Sequence, residues 1–407
     1  MFNRTRTVGS IPWYVLGNSF LLAFAMWAPL FCVPPMEHIL KEGLALTHTQ
    51  AILFFIGPII MLVLVALPAG LIADRIGVKK AAGIGITIIA ISSPLRGIGV
   101  DATYPLIFTF LYGIGLGLSF PTLPKLARAW TRAESASNFT GILLTPVIFA
   151  AGLFLAITMP VIFPITGNYN GVFFICGIPA VLSTITWWIF NSEPSNTLRN
   201  DRVTRAKVAS PYKLFKSRVL LRVSLLFFLH NFFFYTWSGW VPLILLMKGI
   251  SEDMAGLITS VTLWAGIPAV LLMPKLASLT RSKRYFLWVP GILLSIVAWI
   301  MAYNTSELVF WLIMSLAGVA LCVRFAALYS MPAELIPERQ VGTATGILCI
   351  GYTGGIIGPT LGGYILDTTN SLTISLILLV FISIISVIVA IKMPTNKEIK
   401  SLSVQDS

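Results

Sequence analysis

The chain has 407 residues, of which 57% are hydrophobic and only 11% are charged, and its mean hydropathy is +0.89. A soluble domain carries about a quarter charged residues, so this composition excludes an ordinary soluble enzyme or binding module. The formal net charge of +13 does not indicate a nucleic-acid partner, because the basic residues lie in short clusters between long apolar runs and form no basic motif. The sequence predicts a protein that lies within a lipid bilayer and is not an enzyme.

The order of apolar runs predicts an all-α membrane protein with twelve transmembrane helices. A helix needs about 20 apolar residues to cross the hydrocarbon core. The runs that meet this length lie at residues 11–33, 47–72, 81–100, 103–124, 137–161, 170–190, 219–246, 254–279, 285–303, 307–331, 341–365 and 371–392. We predict two six-helix bundles, at 1–190 and 219–407, joined by a hydrophilic cytoplasmic linker at 191–218.

The distribution of basic residues predicts the orientation. With a cytoplasmic N-terminus, 24 of the 28 lysines and arginines fall on the cytoplasmic side. Only Lys41 and Lys248 fall in predicted outer loops, and Arg96 and Arg324 lie inside predicted spans. This bias agrees with the positive-inside rule. We therefore expect a multi-pass protein of the cell membrane with both termini in the cytoplasm.

The two predicted bundles repeat each other weakly. A shift of 213 residues aligns Asn18 with Asn231 and Trp27 with Trp240. A shift of 205 aligns Gly113 with Gly318, Phe120 with Phe325 and Ser119 with Arg324. Parallel repeats of this kind imply a pseudo-twofold axis along the membrane normal, with a binding site at mid-depth between the halves.

The loop between the second and third spans resembles the signature loop of the major facilitator superfamily. The stretch reads GLIADRIGVKK and starts at Gly70. A glycine at position 77 permits a tight turn, and an aspartate at position 74 can cap a helix end. The resemblance implies the fold of that superfamily and a cytoplasmic gate between the halves. The residues to which it assigns the gating role are Gly70, Asp74, Arg75, Gly77, Lys79 and Lys80.

Two further stretches are similar to branches of that superfamily. The segment from Tyr235 through Trp237 to Trp240 looks like the cyanate-permease-like branch, and the glycine-rich tract 351–363 resembles tracts of several anion porters. Small residues in such a tract also pack helices closely, which is the alternative interpretation. The arginines of nitrate porters in spans two and eight are absent, so the pattern does not predict nitrate specificity.

Two arginines inside predicted spans receive different interpretations. An arginine at mid-bilayer costs about 2.5–3.5 kcal/mol, so it persists when it faces a cavity or a partner. Arg324 lies deep in the tenth span, and its repeat counterpart is a serine, so we predict that it is a fixed positive charge for an anionic substrate. Reaching toward cytoplasmic water is the alternative for Arg324. Arg96 lies nearer the outer end of its span, and we expect it to extend to the outer surface.

Other polar and aromatic residues in the spans are candidate cavity groups. His230 is the one histidine in the interior of a predicted span, since His48 lies at the start of the second, and either a hydrogen bond to a neighbour or substrate contact explains it. The set of residues predicted to bind substrate is Asn18, Trp27, Ser119, His230, Asn231, Tyr235, Trp237 and Arg324. The four cysteines lie far apart in apolar runs, so the sequence predicts neither a metal site nor a cofactor.

These features predict a secondary transporter for a small anionic solute, such as a carboxylate or inorganic anion, that alternates by a rocker-switch motion. No aspartate or glutamate lies in the interior of a predicted span, since Glu307 is the first residue of the tenth, and this favours uniport or anion exchange over proton coupling through a buried carboxylate. We expect the protein to act as a monomer. The alternatives are an exporter of hydrophobic compounds from the same superfamily and a membrane sensor that does not transport.

Overall fold

The computed structural model is built from α-helices connected by short loops. It describes residues 13–99, 101–123, 126, 133–191, 217–279, 284–335, 347–371 and 373–393. Within these ranges the chain forms no β-strand. The predicted linker and the predicted cytoplasmic tail lie almost entirely outside the described residues.

The first half contains nine α-helices in the described part of the chain. They are α1 (Trp13–Phe31), α2 (Glu37–Gly43), α3 (His48–Ala51), α4 (Leu53–Ile76), α5 (Val78–Leu95), α6 (Thr103–Ser119), α7 (Ala133–Ile157), α8 (Phe163–Thr166) and α9 (Tyr169–Phe190). A 3-10 turn at Pro34–Met36 connects α1 to α2, and a π-helical turn at Thr158–Ile162 connects α7 to α8.

The second half follows the same plan. Its helices are α10 (Arg218–Met247), α11 (Glu252–Trp264), α12 (Gly266–Leu279), α13 (Tyr285–Tyr303), α14 (Glu307–Leu335), α15 (Gly354–Thr369) and α16 (Thr373–Ile391). A 3-10 turn at Ile350–Thr353 precedes α15.

The two halves pack their helices in the same pairs. In the first half α1 packs on α7 and α9, α6 packs on α4 and α5, and α5 packs on α9. In the second half α10 packs on α15 and α16, α14 packs on α11, α12 and α13, and α13 packs on α16. The halves meet where α7 contacts α11 and α12 and where α15 contacts α3 and α4. This arrangement is the predicted pair of pseudo-symmetric bundles.

The helices are long and apolar enough for a membrane protein. Among the described residues, nine helical segments have the length and hydropathy to cross a bilayer, and two shorter apolar helices lie at Leu53–Ala66 and Thr103–Ser119. Large apolar side chains such as Leu64, Ile165 and Phe381 point outward and are more than half exposed. In water such a surface would aggregate, whereas in a bilayer it faces lipid.

Glycines that the repeat aligns perform the same packing role. A Cβ atom at Gly113 would lie 2.6 Å from the Cα of Pro58, so α6 crosses α4 at that point. A Cβ at Gly318 would overlap the carbonyl oxygen of Thr262, so α14 crosses α11 at the corresponding point. The weak repeat in the sequence therefore preserves the close helix crossings of the fold.

The glycine-rich tract packs α15 against α10. A Cβ at Gly354 would overlap the carbonyl oxygen of Phe228, and one at Gly358 would overlap the hydroxyl of Thr236. Helices in a membrane gain little from hydrophobic burial, so close approach through small residues contributes much of their association. The packing interpretation of this tract is confirmed.

Arg96 is completely buried, so the expectation that it extends to the outer surface is wrong. Its Nη1 donates a hydrogen bond to the carbonyl oxygen of Pro29 at 2.5 Å, its Nη2 to that of Phe54 at 2.8 Å, and its Nε to the Thr109 hydroxyl at 3.0 Å. The Phe54 carbonyl would normally accept from residue 58, but Pro58 has no N–H. Arg96 therefore satisfies a carbonyl that a proline leaves without a donor.

We expect replacement of Arg96 by leucine to destabilise the protein strongly. The change leaves three acceptors without their donor inside the first half, and each unsatisfied buried group costs about 1–3 kcal/mol. Thermal unfolding of the detergent-solubilised protein should show the loss. Arg222→Gln, which changes an exposed arginine that bonds only the Lys392 carbonyl among described residues, should leave the midpoint unchanged. Equal stabilities of the two variants would contradict the structural role of Arg96.

We expect Gly354→Ala to lower the unfolding midpoint, because the new methyl group forces α15 away from α10 at a cost of about 1–3 kcal/mol. Gly17→Ala in α1 is the matched control, since a Cβ there meets no atom within 4 Å. The same thermal unfolding measurement compares them. A stable Gly354→Ala protein would show that α10 and α15 do not require this close approach.

Candidate functional site

A cavity of about 610 Å³ lies between the two halves. Helices α1 and α7 supply its wall on one side, and α10 and α14 supply the other. Seven of the sixteen lining residues are tryptophan, phenylalanine or tyrosine, and six more are aliphatic. The lining consists of Trp27, Phe31, Phe120, Leu144, Val147, Ile148, Ala151, His230, Asn231, Phe234, Tyr235, Leu263, Leu321, Cys322, Phe325 and Tyr352.

Four of the eight predicted substrate residues line this cavity. They are Trp27 from α1 and His230, Asn231 and Tyr235 from α10. The Asn231 amide donates to the carbonyl oxygen of Phe227 at 2.8 Å, so its nitrogen is used inside its own helix. The structure therefore brings together a tryptophan of the first half and three polar side chains of the second.

Arg324 lies beside the cavity, on the segment of α14 that supplies part of the wall. Its neighbours Leu321 and Phe325 line the cavity. Arg324 is only 1% exposed, and its Nε and Nη2 atoms bond to no described residue. The ion pairs among the described residues join His38 to Glu252 and His48 to Glu37, so neither neutralises Arg324.

Two further buried nitrogen atoms without a described partner belong to the cavity wall. The indole nitrogen of Trp27 and the Nδ1 atom of His230 bond to no described residue. Together with the Arg324 guanidinium they place unused hydrogen-bonding capacity around one cavity, from both halves of the protein. A buried polar group without a partner is costly, so a ligand with acceptor atoms would stabilise this arrangement.

Aromatic pairs join the two halves across the cavity. Phe31 of α1 contacts Phe234 of α10 edge-on at 6.4 Å between ring centroids, and Phe120 contacts Tyr352 edge-on at the same separation. His230 stacks on Phe234 at 6.3 Å. These rings enclose the cavity and hold the imidazole in a fixed orientation.

The remaining predicted substrate residues do not line the cavity. Ser119 is buried against α5 and donates to the Ala82 carbonyl oxygen at 3.4 Å. The Trp237 indole donates to the Thr262 hydroxyl at 3.4 Å, which directs it toward α11. Asn18 is buried in α1 outside the lining. The polarity of Ser119 and Trp237 is used in helix packing, which the sequence pattern alone could not distinguish from cavity contact.

The signature loop lies at one end of the molecule. Gly77 has a backbone φ of +90° and precedes α5 directly, so the expected tight turn is present. The carbonyl oxygen of Lys79 accepts a hydrogen bond from the Trp187 indole at 2.9 Å, while Lys80 is exposed. The side chains of the other predicted gating residues, Gly70, Asp74 and Arg75, lie outside the described residues.

The opposite end of the molecule, formed by α2 and α3, holds charged contacts between the halves. The Asp367 carboxylate of α15 accepts hydrogen bonds from the backbone N–H groups of His48 and Thr49, each at 2.9 Å, and from the Thr49 hydroxyl at 2.6 Å. Burial raises the pKa of the Asp367 carboxyl, but these hydrogen bonds outweigh burial and hold that pKa below its ordinary value. The deprotonated carboxylate therefore joins the halves at neutral pH.

Glu37 at the same end is a buried carboxylate that sequence reasoning missed. It is 0% exposed, and it pairs with the His48 imidazole at 2.9 Å. The segment between the first two spans was expected to be an outer loop, but a 3-10 turn and α2 fold it into the protein. The absence of carboxylates from the predicted spans is therefore not an absence of buried carboxylates.

The sequence analysis also missed most of the cavity's aromatic wall. Phe31, Phe234 and Tyr352 could not be separated from the many other aromatic residues of a membrane protein. Phe120 and Phe325 carried a usable signal, because the internal repeat aligns them and both line the cavity.

Two six-helix bundles that enclose a central cavity define a polytopic membrane transport protein. A family model described as Major Facilitator Superfamily matches residues 15–251 and 241–405. The chain belongs to that superfamily and is a transporter rather than an enzyme. Its fold is similar to that of a bacterial homolog of the human lysosomal transporter Spinster, in an inward-facing, unoccupied conformation. The TM-score is 0.75 at 16% identity, covering 94% of this chain and 97% of that one.

Relatives along most of the chain carry transporter names. A Cupriavidus necator protein named "Probable sulfoacetate transporter SauU" is 24% identical over 88% of each chain. A Bacillus subtilis protein named "Hexuronate transporter" is 22% identical over 82% of each chain. An Escherichia coli protein named "2-nitroimidazole transporter" is 22% identical over 90% of this chain and 91% of its own.

We expect Asp367→Asn to open the α2–α3 end, because the amide loses the charge that strengthens three hydrogen bonds across the halves. Opening should raise the accessibility of Cys322, which lines the cavity. Replacing Cys32, Cys176 and Cys349 by alanine leaves Cys322 as the one thiol. Its alkylation by a membrane-impermeant maleimide should accelerate about tenfold.

In the protein that retains Asp367, the pH dependence of Cys322 labelling should reflect the lowered pKa of this carboxyl. A carboxyl whose pKa is lowered by a contact stabilises that contact above its ordinary pKa of about 4, and the stabilisation is lost as the pH falls through the lowered value. Labelling should therefore stay slow from pH 8 to pH 5. Asp101→Asn, at an exposed aspartate that among the described residues accepts only from the Thr103 N–H, is the control and should not change the rate. Equal rates in both variants would exclude Asp367 as the contact that closes this end.

Proposed function

We propose that the protein is a secondary transporter that moves a small anionic solute across the cytoplasmic membrane by rocker-switch alternating access. The observation that carries this proposal is the Arg324 guanidinium, which is buried beside the central cavity with two nitrogen atoms that bond to no described residue. A buried cation is stable only when a partner compensates its lost hydration. In a cavity that opens alternately to the two sides of the membrane, the partner that fits this cation is the transported anion.

The donor set around the cavity supports an oxyanion in particular. A planar guanidinium presents two N–H groups to a carboxylate or sulfonate in fixed geometry. Trp27 adds an indole N–H from the first half, and His230 adds a ring nitrogen from the second. An anion held by both halves stabilises the closed arrangement around it, which couples binding to the rocking motion. We assign substrate contact to Arg324, His230, Trp27, Asn231 and Tyr235.

The names of two relatives support an anionic substrate. Sulfoacetate and hexuronates are small organic anions, and the relatives named for them match this chain over most of its length. Their identities of 24% and 22% are too low to transfer a particular substrate. They favour the chemical class that Arg324 favours independently.

We propose uniport or anion exchange as the transport mode. The sequence argument against proton coupling assumed that no carboxylate is buried, and the burial of Glu37 contradicts that assumption. Glu37 does not line the cavity, however, and its carboxylate is already paired with His48. Counterflow of labelled substrate without accompanying proton movement is the expected behaviour, and proton uptake that disappears in Glu37→Gln would contradict it.

We further propose the membrane arrangement and the gate that the sequence predicts. The bundles 1–190 and 219–407 would rock as units within a monomer, with both termini in the cytoplasm. The loop that carries Asp74 and Arg75 would close the cytoplasmic side, and the Asp367 contact would close the outer side. Closure of opposite ends in alternation is the requirement of this mechanism.

A specific observation favours one alternative function, the export of hydrophobic compounds. The cavity wall is almost entirely aromatic and aliphatic, and one relative is named for 2-nitroimidazole. In that case neutral aromatic compounds would bind as well as anions, and Arg324 would be irrelevant to uptake. The same Arg324 variant therefore separates the two functions.

We expect Arg324→Gln to lower the rate of anion uptake by about 10- to 100-fold, because the variant loses a charge-assisted hydrogen bond to the anion. Its thermal stability should stay the same or increase, because the change removes a buried charge that has no ion-pair partner among the described residues. Uptake of a labelled organic anion into proteoliposomes measures the first effect. Arg324→Lys should restore part of the rate, since it retains the charge without the planar fork.

The matched control is Ser119→Ala, at the repeat counterpart of Arg324. The Ser119 hydroxyl contacts only the Ala82 carbonyl among described residues, so uptake should be unchanged. Normal uptake kinetics in a folded Arg324→Gln protein would contradict the anion anchor and favour the exporter.

A further inference from the structure

The wall of the central cavity restricts what kind of anion it can hold. Its empty space of about 610 Å³ includes a part that is open to solvent. Thirteen of its sixteen lining residues are aromatic or aliphatic, and the others are His230, Asn231 and Cys322. A small inorganic anion would leave most of this apolar surface in contact with water, which the bulk of an organic solute would displace.

The polar capacity of the wall is small. The Asn231 amide nitrogen is already bonded to the Phe227 carbonyl oxygen. The buried side-chain atoms at the wall that have no described partner are the Trp27 indole nitrogen and His230 Nδ1, with Arg324 Nε and Nη2 beside them. One anionic head group uses these atoms, and the polar atoms of the lining that remain for hydroxyl groups on a solute are the hydroxyls of Tyr235 and Tyr352 and the Oδ1 atom of Asn231. Nearly all of the accessible lining surface is apolar. Each hydroxyl placed against the aromatic or aliphatic wall would lose its bonds to water without replacement.

The aromatic rings provide the matching surface for an apolar body. Trp27 meets Phe120 edge-on at 5.4 Å between centroids, and Phe234 and Phe325 approach His230 at 6.3 and 5.9 Å. Rings at these separations contact one another, so they form a continuous aromatic surface on which an aromatic ring of the solute can stack or lie edge-on. The cation beside the wall, Arg324, provides for one negative charge.

We propose that the cavity selects organic monoanions with a compact apolar or aromatic body, of the aromatic carboxylate and sulfonate class, and discriminates against polyhydroxylated acids. This inference rests on the proposed function, because it assumes that Arg324 holds the anionic group. It assigns specificity to the apolar wall: the head group meets Arg324, and the body displaces water from Trp27, Phe120, Phe234 and Phe325. The arrangement separates this chain from a carrier for sugar acids, whose hydroxyl groups need polar partners.

The test compares probes that differ in one property at a time, using thermal stabilisation of the purified full-length protein. Benzenesulfonate and benzoate are the apolar monoanions, glucuronate is the polyhydroxylated monoanion, and benzyl alcohol is the neutral aromatic probe. We expect benzenesulfonate and benzoate to bind at least about tenfold more tightly than glucuronate. This binding should be weakened in Arg324→Gln, and benzyl alcohol should bind weakly to both proteins.

The outcomes separate failure of the inference from failure of the proposed function. Binding of glucuronate as tight as that of benzoate, with the same dependence on Arg324, overturns the selectivity and leaves an anion transporter. Benzyl alcohol binding as tightly as benzoate, with no effect of Arg324→Gln, overturns the anion function itself. Binding of none of the probes at millimolar concentration also overturns the inference.

A wall variant tests the role of the apolar surface directly. Val147→Thr keeps the shape of the side chain and adds one hydroxyl to the cavity wall, so it should weaken benzoate binding several-fold. Val161→Thr is the matched control, because Val161 is 47% exposed on the outer surface of the first half. Both proteins should remain folded. Equal benzoate affinity in the two variants would show that the wall does not select the solute.

Discussion

Hydrocarbon offers no hydrogen bonds, so every polar group inside the membrane must find its partner within the protein or in what the protein binds. The two buried arginines of this chain show both solutions. Arg96 donates to Pro29, Phe54 and Thr109 and joins α1, α4 and α6. Arg324 is buried to the same extent but retains two nitrogen atoms without a described partner. The first arginine stabilises the fold, and the second leaves a binding capacity at the centre of the molecule.

The same constraint explains how the helices associate. Apolar side chains gain little by moving from lipid to another helix, so the bundles rely on close backbone approach at glycines and on buried hydrogen bonds. Gly113 and Gly318 occupy equivalent crossings in the two halves, and the tract at 351–363 brings α15 against α10. The cavity is present because the bulky residues on facing helices meet there, whereas small residues bring the helices together elsewhere.

The contacts between the halves connect this architecture to transport. At the α2–α3 end Asp367 accepts hydrogen bonds from the opposite half, and around the cavity aromatic pairs such as Phe31–Phe234 span the division. None of these contacts joins residues that are close in sequence. Each can separate when the halves rotate, since hydrogen bonds and ring contacts between rigid bundles break without unfolding either one. The arrangement therefore supports alternating access around a solute held by both halves.

The sequence alone predicted the membrane class, the two related bundles and the superfamily, because hydropathy, charge bias and repeats are properties of consecutive residues. It also placed Arg324, His230 and Trp27 among the candidate residues, because polar groups are conspicuous in apolar spans. Only the tertiary structure showed that Arg96 is buried and bonded within the protein, since this depends on a carbonyl that Pro58 leaves free on another helix. The structure also showed that Ser119 and Trp237 do not line the cavity and that Glu37 is buried. Whether a polar residue is satisfied depends on neighbours distant in sequence, which no local pattern records.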